Sequence, residues 1–522
     1  MTDEKKLSHY SKTVLIFMIV GSLLILSFNF YNYYKVTKNS PSDMWSKETT
    51  LGVTVPENIA KVLKEDDRIL VTYQGKKDFV ISQCDIYGKK IKDFHYAYDS
   101  SFIRNLMFFK KGSSYFLTYN YDNINDGKLE AIELNSDLKE VGRTQYTDVT
   151  GAYQINSRFV LFYHSGIMSC YDLINNTETS APADNATSIS GAQCGDNILI
   201  TYLNNNDVDG LVIKDGKASD ILSLAPHTST PTISYGDLTA SGDADNCFIL
   251  YKKYIRGSYA ASECVIYDFN TDEFAQKNFF CDDIADIKGC YSPDGAIFYG
   301  TMDRQLFTKH VQGDIVSFTL DDTRHMSDVN VATRQRSSDL NSYADGEYLV
   351  YTDYYHDNYR VNITSSNKDY IKASSGFKKV DATSALSYTL ESLFNGLAYM
   401  VVIGSCWVIP SICFSGIGSV VIYRFNEKYY KFLYFATGII DLTIKYYFLR
   451  KLTFYQCGVL YCPFLTKPST ILIISVASLV ITSIIHYANF NNNKDHFLVT
   501  KLDIPIILDS ILSLILFIPI MP

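Results

Sequence analysis

The chain reads as an all-β propeller of about seven four-stranded blades, plus α-helical membrane segments, one N-terminal and about four C-terminal. Three observations point there. An apolar strand followed by a partner strand returns at intervals of roughly 40–50 residues, the period of a propeller blade. One run, residues 284–320, alternates short strands with turn residues throughout. Long apolar segments are confined to the two ends of the chain.

The recurring strand is apolar, often ends in Tyr, and follows a Gly, Asp or Asn turn. It occurs at 68–73, 114–119, 158–163, 197–202, 247–251, 296–300 and 347–351. Partner strands are expected at 79–87, 129–134, 167–173, 210–213, 264–269, 305–309 and 359–363. Four antiparallel strands cannot bury both faces of so small a sheet, so the units must stack radially. Residues 51–55 are expected to close the ring by completing the blade that contains 348–365. Within 284–320 the four strands read as 284–291, 296–301, 304–310 and 314–320.

The turn Tyr291-Ser292-Pro293-Asp294-Gly295 resembles the repeat signature of TolB-type and related bacterial propellers, which implies that it joins the first two strands of a blade. Weaker copies are Gly242-Asp243-Ala244-Asp245 and Tyr343-Ala344-Asp345-Gly346-Glu347. The resemblance implies a fold and names no activity.

Taken in order, residues 1–12 form a short cytoplasmic N-terminus with Lys5, Lys6 and Lys12. Residues 13–31 are almost unbroken apolar sequence, enough to cross a hydrocarbon core of about 30 Å. An interfacial aromatic set (Phe30, Tyr31, Tyr33, Tyr34) follows in place of a cleavage site, so the segment reads as an uncleaved anchor. A linker, 32–44, leads to the propeller, 45–385, which carries 33 basic and 47 acidic residues. That acidity argues against nucleic acid and against anionic headgroups as partners.

Residues 386–522 read as a four-helix transmembrane region, with apolar segments at 393–423, 432–449, 470–489 and 502–521. The first is longer than one span requires, and Pro410 with the small residues after it predicts a kink. Basic residues place the N-terminus, Arg424–Lys431 and Lys494–Lys501 on the cytoplasmic side, and so the propeller outside the cytoplasm. Arg450, Lys451 and Lys467 then fall outside, against the rule.

Eleven cysteines lack the spacing of a disulfide framework or a zinc site. Cys247 with Cys264, Cys281 with Cys290, and Cys457 with Cys462 are the candidate bridges, against the plainer expectation of small buried hydrophobes. Asp207 and Asp209 before Gly210, and Asp122 and Asp126 with Glu133, are weak calcium candidates that read better as hairpin turns. Hydrolase, metalloprotease and phosphate-loop signatures are absent, and no cofactor is expected. Asp441, Lys445, His486 and Asp509 are ionisable residues within apolar segments. They predict either a polar, ion-coupled path or an Asp441–Lys445 pair that neutralises itself one turn apart. Strand-terminal tyrosines predict core filling, or aromatic rings offered to a partner at the rim.

The function expected is a multi-pass membrane protein presenting its propeller as a non-enzymatic binding, scaffold or sensing module for a protein, peptide or glycan. The alternative is a membrane component of a transporter served by a separate ATPase. One span, an external domain and four further spans are similar in topology to some ABC exporter permeases. An extracytoplasmic hydrolase is the third reading.

Overall fold

The computed structural model describes all residues except 1–2, 56–58, 99–102, 122–126, 205–206, 225–231, 280–283, 308–309, 321–325, 335–338, 356–357, 426–428, 455–463, 491–497 and 518–522. It divides into two compact units, one of strands (Ser40–Arg304 and Gln312–Gly376) and one mainly of helices (Met1–Asn39, Gln305–Val311 and Phe377–Pro522).

The strand unit is a seven-bladed propeller of antiparallel sheets. Six blades follow chain order, within 61–97, 103–146, 149–182, 186–223, 233–279 and 284–331. The seventh is made by Asp339–Asp345, Tyr348–Tyr355 and Asn358–Ser365, and its outermost strand is Thr49–Thr54 from the other end of the chain. Thr50 pairs with Asn362 and Val53 with Arg360, so the ring is closed as the sequence predicts. Closure is pinned beside that strand, where Arg334 donates to both carboxylate oxygens of Glu48 at 2.7 and 3.0 Å. Bidentate geometry of this kind makes an ion pair directional.

Each of the seven blade interfaces holds one apolar cluster, for example Leu70, Phe79, Phe108 and Leu117 between the first two blades. Leu250, Cys264, Phe298 and Phe318 fill the interface between the fifth and sixth. This is why the second and third strands of a blade read as near-continuous apolar runs: both of their faces are covered. The strand-terminal tyrosines belong to these cores. Tyr119, Tyr202, Tyr251 and Tyr351 are buried, which removes them as rim contacts.

One blade departs from the expected strand limits. Ile297–Phe307 is a single second strand, His310–Leu320 is its partner, and Met326–Val331 is the fourth. The expected strands at 296–301 and 304–310 are largely one element, because Asp303 and Arg304 continue the ladder where their polarity predicts a break. Ser292–Gly295 does join the first two strands, closed by Gly295 N–H donating to Ser292 O at 3.3 Å. Its two weaker copies occupy the same place in the fifth and seventh blades.

The helical unit contains α1 (Asp3–Thr37), then α3 (Lys379–Val402), α4 (Ser405–Phe425), α5 (Tyr430–Phe454), α6 (Pro468–Phe490) and α7 (Leu498–Phe517). A short α2 (Lys368–Ser374) ends the propeller unit, capped by Asn367, whose side chain accepts from the N–H groups of Asp369 and Tyr370. The over-long segment at 393–423 is thus two helices, broken at Ile403 and Gly404, and Pro410 lies inside the second of them. Among the described residues, three stretches are long and apolar enough to cross a membrane: Leu15–Lys35, Ser405–Ile422 and Lys431–Lys451. Two of these are C-terminal where about four were expected; Pro468–Ile484 is a shorter apolar stretch.

Candidate functional site

The innermost strands of the seven blades touch one another in sequence and form a ring around the propeller axis. Five of them carry a bulge at the same place, with a left-handed polar residue: Asn105, Ser188, Asp237, Asp286 and Asn341. Asn and Asp tolerate that conformation best, and a bulge re-aims the side chains that follow it. Directly after the bulges of the sixth and seventh blades come Lys288 and Tyr343.

Lys61, on the innermost strand of the first blade, stands over the ring of Tyr343, its Nζ 4.0 Å from the centroid. It is 9% exposed, and its Nζ makes no hydrogen bond or ion pair among the described residues. Burial pushes its pKa down to about 7; the Lys288 ammonium adds to this, and Asp345 works against it. Lys288 itself pairs with Asp286 at 3.1 Å. Burial raises Asp345 to about 6, against the hydroxyl and backbone of Ser157 and the charge of Lys61. Lys288 thus has a carboxylate of its own, whereas Lys61 has only the attraction of Asp345, which Ser157 already engages, and is under-compensated.

A stability prediction follows. The unfolded chain keeps Lys61 protonated to about pH 10.5, the folded chain only to about 7. Between these values the unfolded state holds more protons, so stability rises with pH; at and below pH 7 the full burial penalty is present. Lys61→Met should remove it, raising stability by about 1–4 kcal/mol, or the melting midpoint of a domain this size by roughly 1–5 °C. The gain, followed by circular dichroism of the detergent-solubilised chain, should shrink as pH is raised from 7 toward 10.

A second polar cluster lies in the helical unit and contains the intramembrane candidates. Asp441, Lys445 and Asp509 are completely buried. Lys445 does not pair with Asp441 on its own helix: its Nζ makes an ion pair with Asp509 Oδ2 on α7 and also donates to Ser475 O on α6 at 3.3 Å. Ser513 donates to the other oxygen of Asp509 at 3.3 Å. Asp441 Oδ1 lies 3.2 Å from Ser411 Oγ on α4, and its Oδ2 has no partner. His486, also buried, lies further along α6. The i, i+4 spacing of Asp441 and Lys445 identifies their shared face; that α7 supplies the counter-ion is a tertiary fact the spacing cannot carry.

The remaining candidates are not assembled into sites. Asp207 and Asp209 lie in a strand, Asp207–Lys214, rather than in a turn, and Asn204 Nδ2 donates to Asp209 Oδ2 at 3.0 Å. Glu133 is in the strand Lys128–Leu134, while Asp122 and Asp126 lie outside the described residues. Cys247 and Cys264 are free buried thiols on paired strands. They are out of register for a bridge, since Cys247 faces Tyr267 and Cys264 faces Leu250. Cys290 is also free and buried; Cys281, Cys457 and Cys462 lie outside the described residues.

No protein-family model matches the chain. No curated protein matches it either. Among solved structures it is similar to the β-propeller domain of the Trilobed protease from Pyrococcus furiosus, with 12% identity and a TM-score of 0.36 over 59% of this chain and 96% of that one. It is also similar to the WD40 domain of SCAP from fission yeast, with 9% identity and a TM-score of 0.35 over 63% of this chain and 100% of that one. The propeller assignment rests on the strand pairing of this chain.

Proposed function

We propose that this is an integral membrane protein whose propeller is a non-enzymatic binding module, held outside the cytoplasm and receiving an anionic group of a peptide or glycan at its axis. The observation that carries the reading is Lys61: a largely buried lysine with no hydrogen bond or ion pair among the described residues, beside a second lysine, on the innermost ring of the propeller. A buried charge is stable only when paired. A ligand carboxylate or sulfate would complete the pairing that Asp345 leaves unfinished. The TolB-type turn fits a propeller of the extracytoplasmic kind, and the basic residues flanking the apolar helices favour that side.

The test is capture of acidic peptides and of uronate-containing or sulfated glycans by the whole detergent-solubilised chain, on arrays with neutral counterparts. Acidic members should be retained preferentially, and Lys61→Gln should reduce retention at least about tenfold, the value of one lost charged hydrogen bond. Equal capture of neutral and acidic members, or indifference to Lys61→Gln, would refute the axis site. The buried charges at Asp441, Lys445 and Asp509 favour a second reading, a transporter component. Reproducible co-purification of a cytoplasmic ATPase would support it.

A further inference from the structure

We propose that Asp441 is a proton-binding site inside the helical unit, loaded from the Asp503 end of the bundle along a file of buried hydroxyls. Ser411 has a single hydroxyl proton, and its Oγ lies 2.7 Å from the carbonyl oxygen of Trp407 and 3.2 Å from Asp441 Oδ1. A carbonyl can only accept, so the shorter contact takes the Ser411 proton. The contact to Asp441 is then a hydrogen bond only if the carboxyl supplies the proton.

The charge count agrees. The helices packed against α5 are α4, α6 and α7. The buried ionisable side chains described on these helices are His486 on α6, Asp503 and Asp509 on α7 and Lys445 on α5 itself, and α4 adds the buried hydroxyls of Ser411, Ser415 and Ser419. Lys445 is committed to Asp509 and to a carbonyl. An ionised Asp441 would be an unpaired buried carboxylate, a state that such groups leave by taking up a proton.

A route is also present. One helical turn from Ser411 is Ser415, and the next turn brings Ser419; one turn before Asp441 on α5 is Thr437. Ser415 Oγ, Ser419 Oγ and Thr437 Oγ1 are all buried without a partner, as is Asp503 Oδ1. The Ser415 hydroxyl neighbours the Asp503 carboxyl. Unsatisfied polar groups gathered along one seam mark where mobile water or protons are accommodated. Hydroxyls both donate and accept, so a proton released by water at Asp503 can pass along them to the Asp441 carboxyl, leaving hydroxide in the aqueous phase. No electron moves and no other bond is made.

The experiment is infrared titration of the full chain reconstituted in uncharged lipid. The expected result is a protonated-carboxyl band at neutral pH that disappears in Asp441→Asn, shifts in Asp441→Glu, and survives in Asp503→Asn. On transfer to heavy water, Ser415→Ala with Thr437→Val should slow the isotope shift of that band. If Asp441→Asn fails to fold, the shift in Asp441→Glu still identifies the band. Absence of any such band, its persistence unshifted in Asp441→Glu, or its selective loss when sodium replaces potassium would overturn the assignment; the last outcome would make this a sodium site. Exchange unaffected by the hydroxyl variant would refute the route.

Discussion

Replacing Gly289 by alanine is expected to destroy the propeller, although the substitution adds one methyl group. Gly289 lies on the innermost strand of the sixth blade, where a Cβ would fall within the van der Waals radius of Ala240 O on the fifth. Its own N–H donates to Thr239 Oγ1 at 3.2 Å, which fixes the two strands at that approach. Gly242 meets the same limit one interface earlier, against Gln193 O. The obstructing atoms are backbone, so no rotamer change relieves the clash; the blades must separate, and separation opens the clusters on both sides. A loss of at least about 3 kcal/mol is expected, the upper range for overpacking. Gly142→Ala, on an outer strand with no atom within 4 Å of the added methyl, should change stability by less than about 0.5 kcal/mol. Thermal denaturation and protease resistance of the two variants decide it. Equal behaviour would mean that the innermost strands do not approach as described.

Legibility in the sequence tracks burial. The second and third strands of each blade could be read because neighbouring blades cover both of their faces, and the closing strand, expected at 51–55 and found at Thr49–Thr54, could be read from the need to close the ring. The outermost strands could not: Glu140–Tyr146 is exposed along nearly its whole length and carries no apolar pattern. Nor could most of the innermost ones, where a left-handed Asn, Asp or Ser interrupts the period; Ile284–Cys290 is the one read as a strand. A weaker signal was available there. In Asn105-Leu106, Ser188-Ile189, Asp237-Leu238 and Asp286-Ile287, a polar residue able to take positive φ precedes a branched aliphatic one, at blade spacing. Lys61 stood in no motif. Only ring closure brings it to Tyr343 and Lys288, residues more than two hundred positions away. In the helices, Asp441, Lys445, His486 and Asp509 were visible as charges in apolar sequence, but their pairing was not, because it depends on which helices are neighbours.

That pairing predicts an asymmetry among the three buried ionisable residues, Asp441, Lys445 and Asp509. Lys445→Met should strongly destabilise the helical unit, since it leaves Asp509 ionised, fully buried and without its cation. Breaking a buried pair from one side costs about 3–5 kcal/mol. Asp509→Asn should be damaging for the converse reason, stranding Lys445. The double variant Lys445→Met with Asp509→Asn removes both charges together and should recover most of the loss, because a buried ion pair is worth little against an uncharged replacement of similar volume. Asp441→Asn, which makes no ion pair in this arrangement, should be nearly neutral for stability. Were Lys445 instead held by Asp441 on its own helix, the rescue would come from Asp441→Asn and the Asp509 double variant would stay as unstable as Lys445→Met. Thermal midpoints of the four variants in one detergent, read from tryptophan fluorescence, distinguish the two. Trp407 serves as the reporter, since it is buried in the same unit and its Nε1 donates to Ser510 Oγ at 2.8 Å, one residue from Asp509.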